Sequence, residues 1–403
     1  MFRLAFRNIV RQRLRTAMTL AAIVFGVMAL ILSGGFVHDV YHQLGEALIH
    51  SQSGHIQVAK EGFQERGARS PERYVIEDSE GLRGLLAARP GVEDVMARVN
   101  FSGLINNGRS DWAIVGQGVE ADREAVLGSQ LKITAGRQLG AADRYGVLLG
   151  QGVAQALKLE PGDYVTLLAN TLDGALNSLE LEVVGVFQSF SADFDLRAVS
   201  ISLEAAQELL GTAGVNTFVI SLRETPLTES TAEALRSGLA GSGFAVLTWR
   251  TLNSFYENTV ALYERQFGFL QLIILVLVLL GVANSVNMSA FERVGEFGTM
   301  MALGNRRGDI RRLVIVENVL LGMIGGGLGV ALGGVSALVL SAIGIEMPPP
   351  PNANLGYTAH IRLVPSVLAS SFSVGLVATV LASLLPAWRV ARIQPVDALR
   401  RNA

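Results

Sequence analysis

The run TAMTLAAIVFGVMALILSGGFVH, residues 16–38, contains no Asp, Glu, Lys or Arg. A helix rising 1.5 Å per residue needs about 20 apolar residues to cross a hydrocarbon layer about 30 Å thick, and this run is long enough. Three further runs share the property: Gln266 to Phe291, Asn318 to Ile345 and Leu363 to Trp388. Helices of soluble proteins average about 11 to 12 residues and rarely go so far without a charge, so four membrane spans are expected, not one greasy soluble core. The first run exceeds the roughly 7 to 15 apolar residues of a signal peptide and lacks a small-x-small cleavage pattern, which makes it an uncleaved span.

Working outward, the 403 residues are 50% hydrophobic and 17% charged, against roughly 25% charged in ordinary soluble domains. Mean hydropathy is +0.39. The formal charge of −2 argues against a nucleic-acid partner, and the absence of cysteine excludes disulfides, thiolate metal sites and a cysteine nucleophile. That near-neutral total averages over unlike parts. Arg3, Arg7, Arg11, Arg13 and Arg15 precede the first span; Arg293, Arg306, Arg307, Arg311 and Arg312 lie between the second and third; Arg389, Arg392, Arg400 and Arg401 follow the fourth. The loop between the third and fourth has Arg362 alone. The positive-inside rule therefore places both termini and the middle loop in the cytoplasm. Residues 39–265, with 29 acidic and 18 basic residues, form an extracytoplasmic insertion of net charge −11.

The insertion has the composition of a folded domain. β-rich runs lie at Gly54 to Val58, Trp112 to Val119, Tyr164 to Leu168, Leu179 to Phe187, Ala198 to Leu203 and Thr217 to Leu222. Helical spacings appear at Val153 to Leu157, Glu204 to Leu210 and Ser230 to Leu239. The mixture predicts an α+β domain in two lobes, joined to the spans by helical struts at His38 to Ile49 and Thr251 to Arg265. His38 and His42 beside Asp39 lack a third metal ligand and read as a polar interfacial face. No G-x-x-x-x-G-K-[ST] loop or G-x-S-x-G elbow occurs, so no catalytic, cofactor or metal site is expected in the chain.

Between spans two and three lies ERVGEFGTMMALGN, residues 292–305. As a short helix it groups Val294, Phe297 and Met301 on one side, with Glu292, Arg293 and Glu296 around them. Such a helix either lies in the lipid interface or offers Phe297 and Met301 as anchors for a partner's groove. Gly325, Gly329 and Gly333 repeat every four residues, allowing close helix approach, either as a dimer seam or as packing of spans three and four. Asn284 and Asn287 are costly in lipid and are candidate dimer contacts.

Residues 292–305 resemble the E-R-x-x-E-[IF]-G-x-x-x-A-L-G coupling helix of four-span ABC-transporter permeases, the group of MacB, FtsX and LolC/LolE. LAFRNIVRQRLRT (4–16), Glu317 with Gly322 and the Gly325 to Gly334 run, PAWRVARIQPVDALR (386–400), and GVLLG (146–150) followed by LEPGDYV (159–165) are similar to further family segments. SGHIQV (53–58) and MPPPPN (347–352) lean toward the lipoprotein-releasing LolC/LolE branch, although a proline run is also simply a stiff turn.

The resemblance implies an α-helical membrane protein of the inner membrane with four transmembrane helices and a large α+β domain between helices 1 and 2. The expected parts are a leading amphipathic helix (1–16), a first span (17–37), a MacB-like periplasmic core domain with helical stalk (38–266) and a second span (267–290). A cytoplasmic loop with the coupling helix (291–316), a third span (317–344), a short periplasmic loop (345–363), a fourth span (364–388) and a cytoplasmic tail (389–403) follow. It further implies a dimer with a second copy or homologue and a separate cytoplasmic ABC ATPase that binds ATP and Mg. That ATPase would dock on Glu292, Arg293, Glu296, Phe297, Gly298, Met301, Leu303 and Gly304. The implied cargo is a lipoprotein or other lipid-linked molecule, with a lipoprotein carrier or periplasmic adaptor as a further partner. MacB-like export, FtsX-like activation of a cell-wall hydrolase and an ATPase-independent receptor are the alternatives.

Overall fold

The structure is a computed structural model that describes residues 2–11, 13–67, 74–128, 131–349 and 356–392. It begins with helices α1 (Phe2–Arg11) and α2 (Arg13–Leu48). The inserted segment carries strands β1 (Ile56–Lys60), β2 (Val92–Asn106), β3 (Asp111–Val119), β4 (Lys132–Gly136) and β5 (Gly146–Gly150). Strands β6 (Tyr164–Asn170), β7 (Leu176–Gln188), β8 (Ala198–Ser202), β9 (Thr217–Leu222) and β10 (Phe244–Thr248) complete it. Among these strands lie α3 (Phe63–Arg66), α4 (Ser79–Ala87), α5 (Ala121–Leu127), α6 (Gln151–Leu157), α7 (Ala192–Asp195), α8 (Leu203–Leu210), α9 (Thr228–Gly238) and α10 (Trp249–Leu252). Then come α11 (Ser254–Glu292), α12 (Val294–Ala302), α13 (Arg307–Ile343) and α14 (Pro365–Ala391), with strands β11 (Ile345–Met347) and β12 (Tyr357–Ala359) before the last helix. The chain divides into two units, residues 43–258 with 347–357 and the remainder.

In the helical unit, α2, α11, α13 and α14 are, among the described residues, long and apolar enough to cross a membrane. Pro365 starts α14, where a missing N–H costs nothing, and Gly344, at φ +73°, ends α13. The glycine stripe is intramolecular, but its partner is span one, not span four. A Cβ on Gly325 would sit 3.0 Å from Ile23, on Gly329 2.7 Å from Val27, and on Gly333 3.1 Å from Ile31. Span four is faced by Gly322 and Gly326, where a Cβ would come within 2.9 Å of Leu376 and of Phe372. Ile23, Val27 and Ile31 are at most 1% exposed, so the seam is closed to lipid.

In the inserted domain, a mixed sheet of ten strands among the described residues runs β10-β1-β9-β2-β3-β8-β5-β7-β4, with β6 paired to both β2 and β7. All ten strands join in one hydrogen-bonded network. The anticipated runs at β1, β3, β6, β7, β8 and β9 all lie in it. The longest strand, β2, was not anticipated. It pairs antiparallel with β3 and β9 and sends Val95, Ala97, Val99 and Phe101 into a core shared with Leu86 of α4, Leu209 of α8 and Leu235 of α9. Its opposite face carries Arg98 and Asn100, which breaks the apolar pattern a central strand usually shows.

Arg98 is buried, and each of its three guanidinium nitrogens donates a hydrogen bond. Its guanidinium forks onto the Glu124 carboxylate, with Nε 3.1 Å from Oε2, and donates to the Gln52 carbonyl at 2.6 Å. Gln52 belongs to a π-helical turn, Ile49–Ser53, that follows α2 and ends at Gly54 with φ +63°. Just beyond it, His55 accepts the Leu222 N–H at Nδ1 (3.1 Å) and lies 3.3 Å from the Thr225 hydroxyl, which donates to Glu46 at 2.6 Å. Burial, reinforced by the neighbouring His50, lowers the His55 pKa to about 4.

Candidate functional site

The segment 292–305 forms α12 flanked by turns. Gly304, at φ +98°, stops the helix as only glycine does readily, and the Gly304 and Asn305 N–H groups bond back to the Met301 and Met300 carbonyls. Asp309 then accepts the Arg306 N–H at 2.9 Å and opens α13. A short helix is thus held between two well-terminated long ones.

What anchors it is a buried ion network. Arg293, 6% exposed, donates to both oxygens of Glu317 on α13 at 2.7 and 3.2 Å, and its Nε to Glu296 at 3.0 Å. Asn8 of α1 donates to Glu317 at 2.5 Å, Arg11 reaches Glu296 at 3.4 Å, and the Arg293 guanidinium lies 5.1 Å over the Phe297 ring. Burial alone would lower the Arg293 pKa; the hydrogen bonds and charges of Glu317 and then Glu296 outweigh it and hold the group above the ordinary arginine range. The guanidinium thus joins α12 to α13, and α1 enters the network through the two carboxylates, Asn8 on Glu317 and Arg11 on Glu296.

Beside this network is a cavity of about 50 Å³ lined by Thr16, Thr19, Ser285, Ser289 and Asn318, with the Thr19 and Ser285 hydroxyls hydrogen-bonded to each other. Asn318 donates to the Val314 carbonyl at 2.8 Å, while its buried Oδ1 has no partner among the described residues. The space suits ordered water, which needs about 10–15 Å³ per molecule.

The sequence-predicted coupling residues divide into two sets. Glu292, Glu296, Leu303 and Gly304 are exposed, Leu303 at 82%, and Met301 is half-buried. Arg293, Phe297 and Gly298 are buried. The expectation that Phe297 is an anchor for a partner's groove is therefore corrected: its ring is 2% exposed and packs into the core of the helical unit with Val286, Ile310 and Val314. Asn8 and Asn318 stand in no motif that the sequence marks as a site, and Glu317 enters through the family resemblance alone. A carboxylate and an amide at the head of an apolar run, costly in lipid without partners, was the available signal.

Asn284 is exposed and Asn287 half-buried on α11, and neither side chain hydrogen-bonds to a described residue. Asn284 lines a groove of about 710 Å³ with Met18, Ala22 and Met288, between Arg13 and Glu292. The proline run from Pro350 and the closing signature beyond Arg392 lie outside the described residues.

Four candidate membrane helices, a mixed-sheet domain between the first two and a short locked helix between the next two describe a polytopic membrane protein with a large inserted domain. The comparisons specify it further. The MacB-like periplasmic core domain family matches residues 16–237, and the FtsX-like permease C-terminal family matches residues 268–395. The chain belongs to the family of ABC-transporter permeases built from these two domains.

It is 24% identical to an uncharacterized ABC transporter permease of Methanocaldococcus jannaschii, over 98% of this chain and 96% of that one. It is 27% identical to the macrolide export ATP-binding/permease protein MacB of Hyphomonas neptunium over 98% of this chain, and spans 60% of that protein's length. To the lipoprotein-releasing system transmembrane protein LolC of Xylella fastidiosa it is 25% identical over 70% of each chain. The periplasmic region of MacB from Actinobacillus actinomycetemcomitans covers 52% of this chain and aligns over 95% of its own, with 17% identity and a TM-score of 0.36.

Proposed function

We propose that this chain is the permease subunit that carries ATP-driven motion from a separate cytoplasmic ATPase, docked on α12, into the spans and the inserted domain. The single observation that carries this reading is the division of α12. Outward on the helix and its two flanks, Glu292, Glu296 and Leu303 offer charge and an apolar tip to a partner. Its inward residues, Arg293 and Phe297, tie it to α13, so a displacement of α12 cannot be absorbed locally. The arginine-rich side faces the cytoplasm and the acidic insertion faces the periplasm. Two chains work together, with Asn284 and Asn287 as contacts between them.

The cargo is a lipoprotein or other lipid-linked molecule, in keeping with the likeness to LolC. Full-length likeness to MacB proteins favours a second reading, export with a periplasmic adaptor. The test is co-expression with ABC ATPases of the same genome, followed by purification in mild detergent. An ATPase that co-purifies with the parent chain and is lost with Glu296→Lys is the expected result; a homogeneous chain with no ATPase would defeat the proposal. Cysteines at 284 and 287 that never crosslink two chains would remove the assigned contacts.

A further inference from the structure

One face of the inserted sheet holds a cleft of about 260 Å³ whose polar lining is almost entirely carboxamide. Gln52, Gln57, Gln64, Asn100, Gln117 and Asn253 converge on it, and no charged residue lines it. The sheet register explains part of the convergence: Asn100 of β2 stands directly opposite Gln117 of β3, and Ser102 opposite Val115, all on one face.

Buried or half-buried amides are normally consumed by internal hydrogen bonds, and some of these are. Asn100 donates to Thr217 at 3.0 Å, Gln57 to the Ser53 carbonyl at 2.9 Å, and Asn253 to the Trp249 carbonyl at 2.7 Å. The half-buried side chains of Gln52 and Gln117, from the π-helical turn and β3, make no hydrogen bond to any described residue, and neither does the exposed Gln64 of α3 at the rim. Gln57 and Asn253 also retain free carbonyl oxygens, since both use their NH2 group internally. The cleft thus presents several unspent donors and acceptors side by side, with apolar surface from Phe63, Val115 and Leu252 between them.

This chemistry selects a ligand. An uncharged lining gives no compensation for desolvating a phosphate, carboxylate or ammonium, which disfavours ionic ligands. A peptide bound by strand addition needs an open sheet edge. Here β1 lies between β10 and β9, β2 between β9 and β3, and β3 between β2 and β8, so the strands beneath the cleft have neighbours on both sides. What remains is a neutral molecule whose groups both donate and accept, with apolar C–H faces to lie on Phe63 and Val115. Hydroxyl groups on a sugar ring meet that description, because a carboxamide offers a donor and an acceptor at a spacing that neighbouring hydroxyls can bridge.

We propose that this cleft binds a neutral oligosaccharide. The proposal goes beyond the ATPase-coupled reading and does not depend on it, because every residue involved lies in the inserted domain.

The test uses the full chain in lipid nanodiscs, free of glycosidic detergent, titrated with maltotriose, cellotriose and chitotriose and followed by saturation-transfer NMR and calorimetry. At least one trisaccharide is expected to saturate with a Kd near or below about 1 mM, and Gln117→Leu to weaken it about tenfold, the scale of lost hydrogen bonds. Gln117→Glu keeps the size but adds a charge, and should abolish binding while the melting temperature stays at the parent value. Gln52→Leu serves as a second variant, since neither amide has an internal partner whose loss would unfold the domain. Absence of saturation by all three sugars up to roughly 10 mM, about 2.7 kcal/mol of binding, overturns the proposal. So does binding that both leucine variants leave unchanged. Saturation by pentaglycine in place of the sugars would also overturn it and reassign the cleft to peptide.

Discussion

Two buried arginines, one in each unit, do comparable work with different legibility. Arg293 grips Glu317 with both terminal nitrogens and Glu296 with Nε, and so fastens a surface helix to a span. Arg98 grips Glu124 and the Gln52 carbonyl, and so fastens a π-helical turn to the central strand of a sheet. The first sits in a motif dense with charge, where its presence draws attention. The second stands at a polar position of an alternating strand, where sequence alone would place it in solvent. A buried guanidinium persists where its donors are all met, and it then joins elements that apolar packing alone would leave free to slide.

The largest effect that would break the comparison is at Arg293. Arg293→Ala leaves Glu317 charged, buried and unpaired, with an expected loss of about 3–5 kcal/mol, read as a collapse of the melting temperature in detergent. Replacing both partners, Arg293→Met with Glu317→Leu, should recover most of it. An Arg293→Ala protein that melts like the parent would show that the pair does not hold α12.

Arg98→Ala should cost less, roughly 2–3 kcal/mol, because the Glu124 side chain is 15% exposed and regains some water. Hydrogen exchange at residues 49–53 should accelerate while the sheet stays protected; uniform exchange across the domain would mean that Arg98 serves the whole core.

Acid separates the two regions further. With His55 near 4 in the fold and about 6.5 when unfolded, the unfolded chain binds the extra proton between those values. Stability of the inserted domain is thus fully present above pH 6.5 and falls as pH drops toward 4, by up to about 3 kcal/mol. His55→Gln should flatten this slope in melts between pH 4 and 7, and an unchanged slope would assign it to other groups.

The smallest expected effect on stability is at Glu296, which is partly exposed. Glu296→Lys removes the acceptor of the Arg293 Nε and sets a cation beside it, so it should cost roughly 1 kcal/mol while removing ATPase co-purification. A large drop in melting temperature would mean that the residue belongs to the socket and not to the docking face.

Much of this was legible in the sequence, for identifiable reasons. Uninterrupted apolar runs such as Thr16 to His38 admit few structures other than a span, and β9 at Thr217 to Leu222 is a β-branched, wholly buried run bounded by a turn signal at Asn216. The coupling segment was legible as a helix, with Gly304 marking its end. Which side of it faced inward was not, because Phe297 and Met301 have the same character and only packing separates a 2% exposed ring from a half-buried thioether. The glycine stripe declared a close approach but not its partner, since Ile23, Val27 and Ile31 look like any lipid-facing residues until α13 is laid on them. Part of strand β2 is legible as the alternation Ala97-Arg98-Val99-Asn100-Phe101-Ser102; the burial of Arg98 is not, because alternation assigns the polar face to solvent and only Glu124 and the Gln52 carbonyl explain its place inside.

The seam between Gly325, Gly329, Gly333 and Ile23, Val27, Ile31 joins residues about 300 positions apart, and at synthesis rates of about 5–20 residues per second that gap lasts roughly 15–60 s. Span one must therefore wait in the bilayer, its sealing surface open, while the inserted domain and span two are made. The partner that relieves it arrives as a glycine groove that accepts branched side chains without repacking. Nascent chains arrested before Gly325 are expected to expose span one to insertase or protease, and those arrested after Gly333 to protect it.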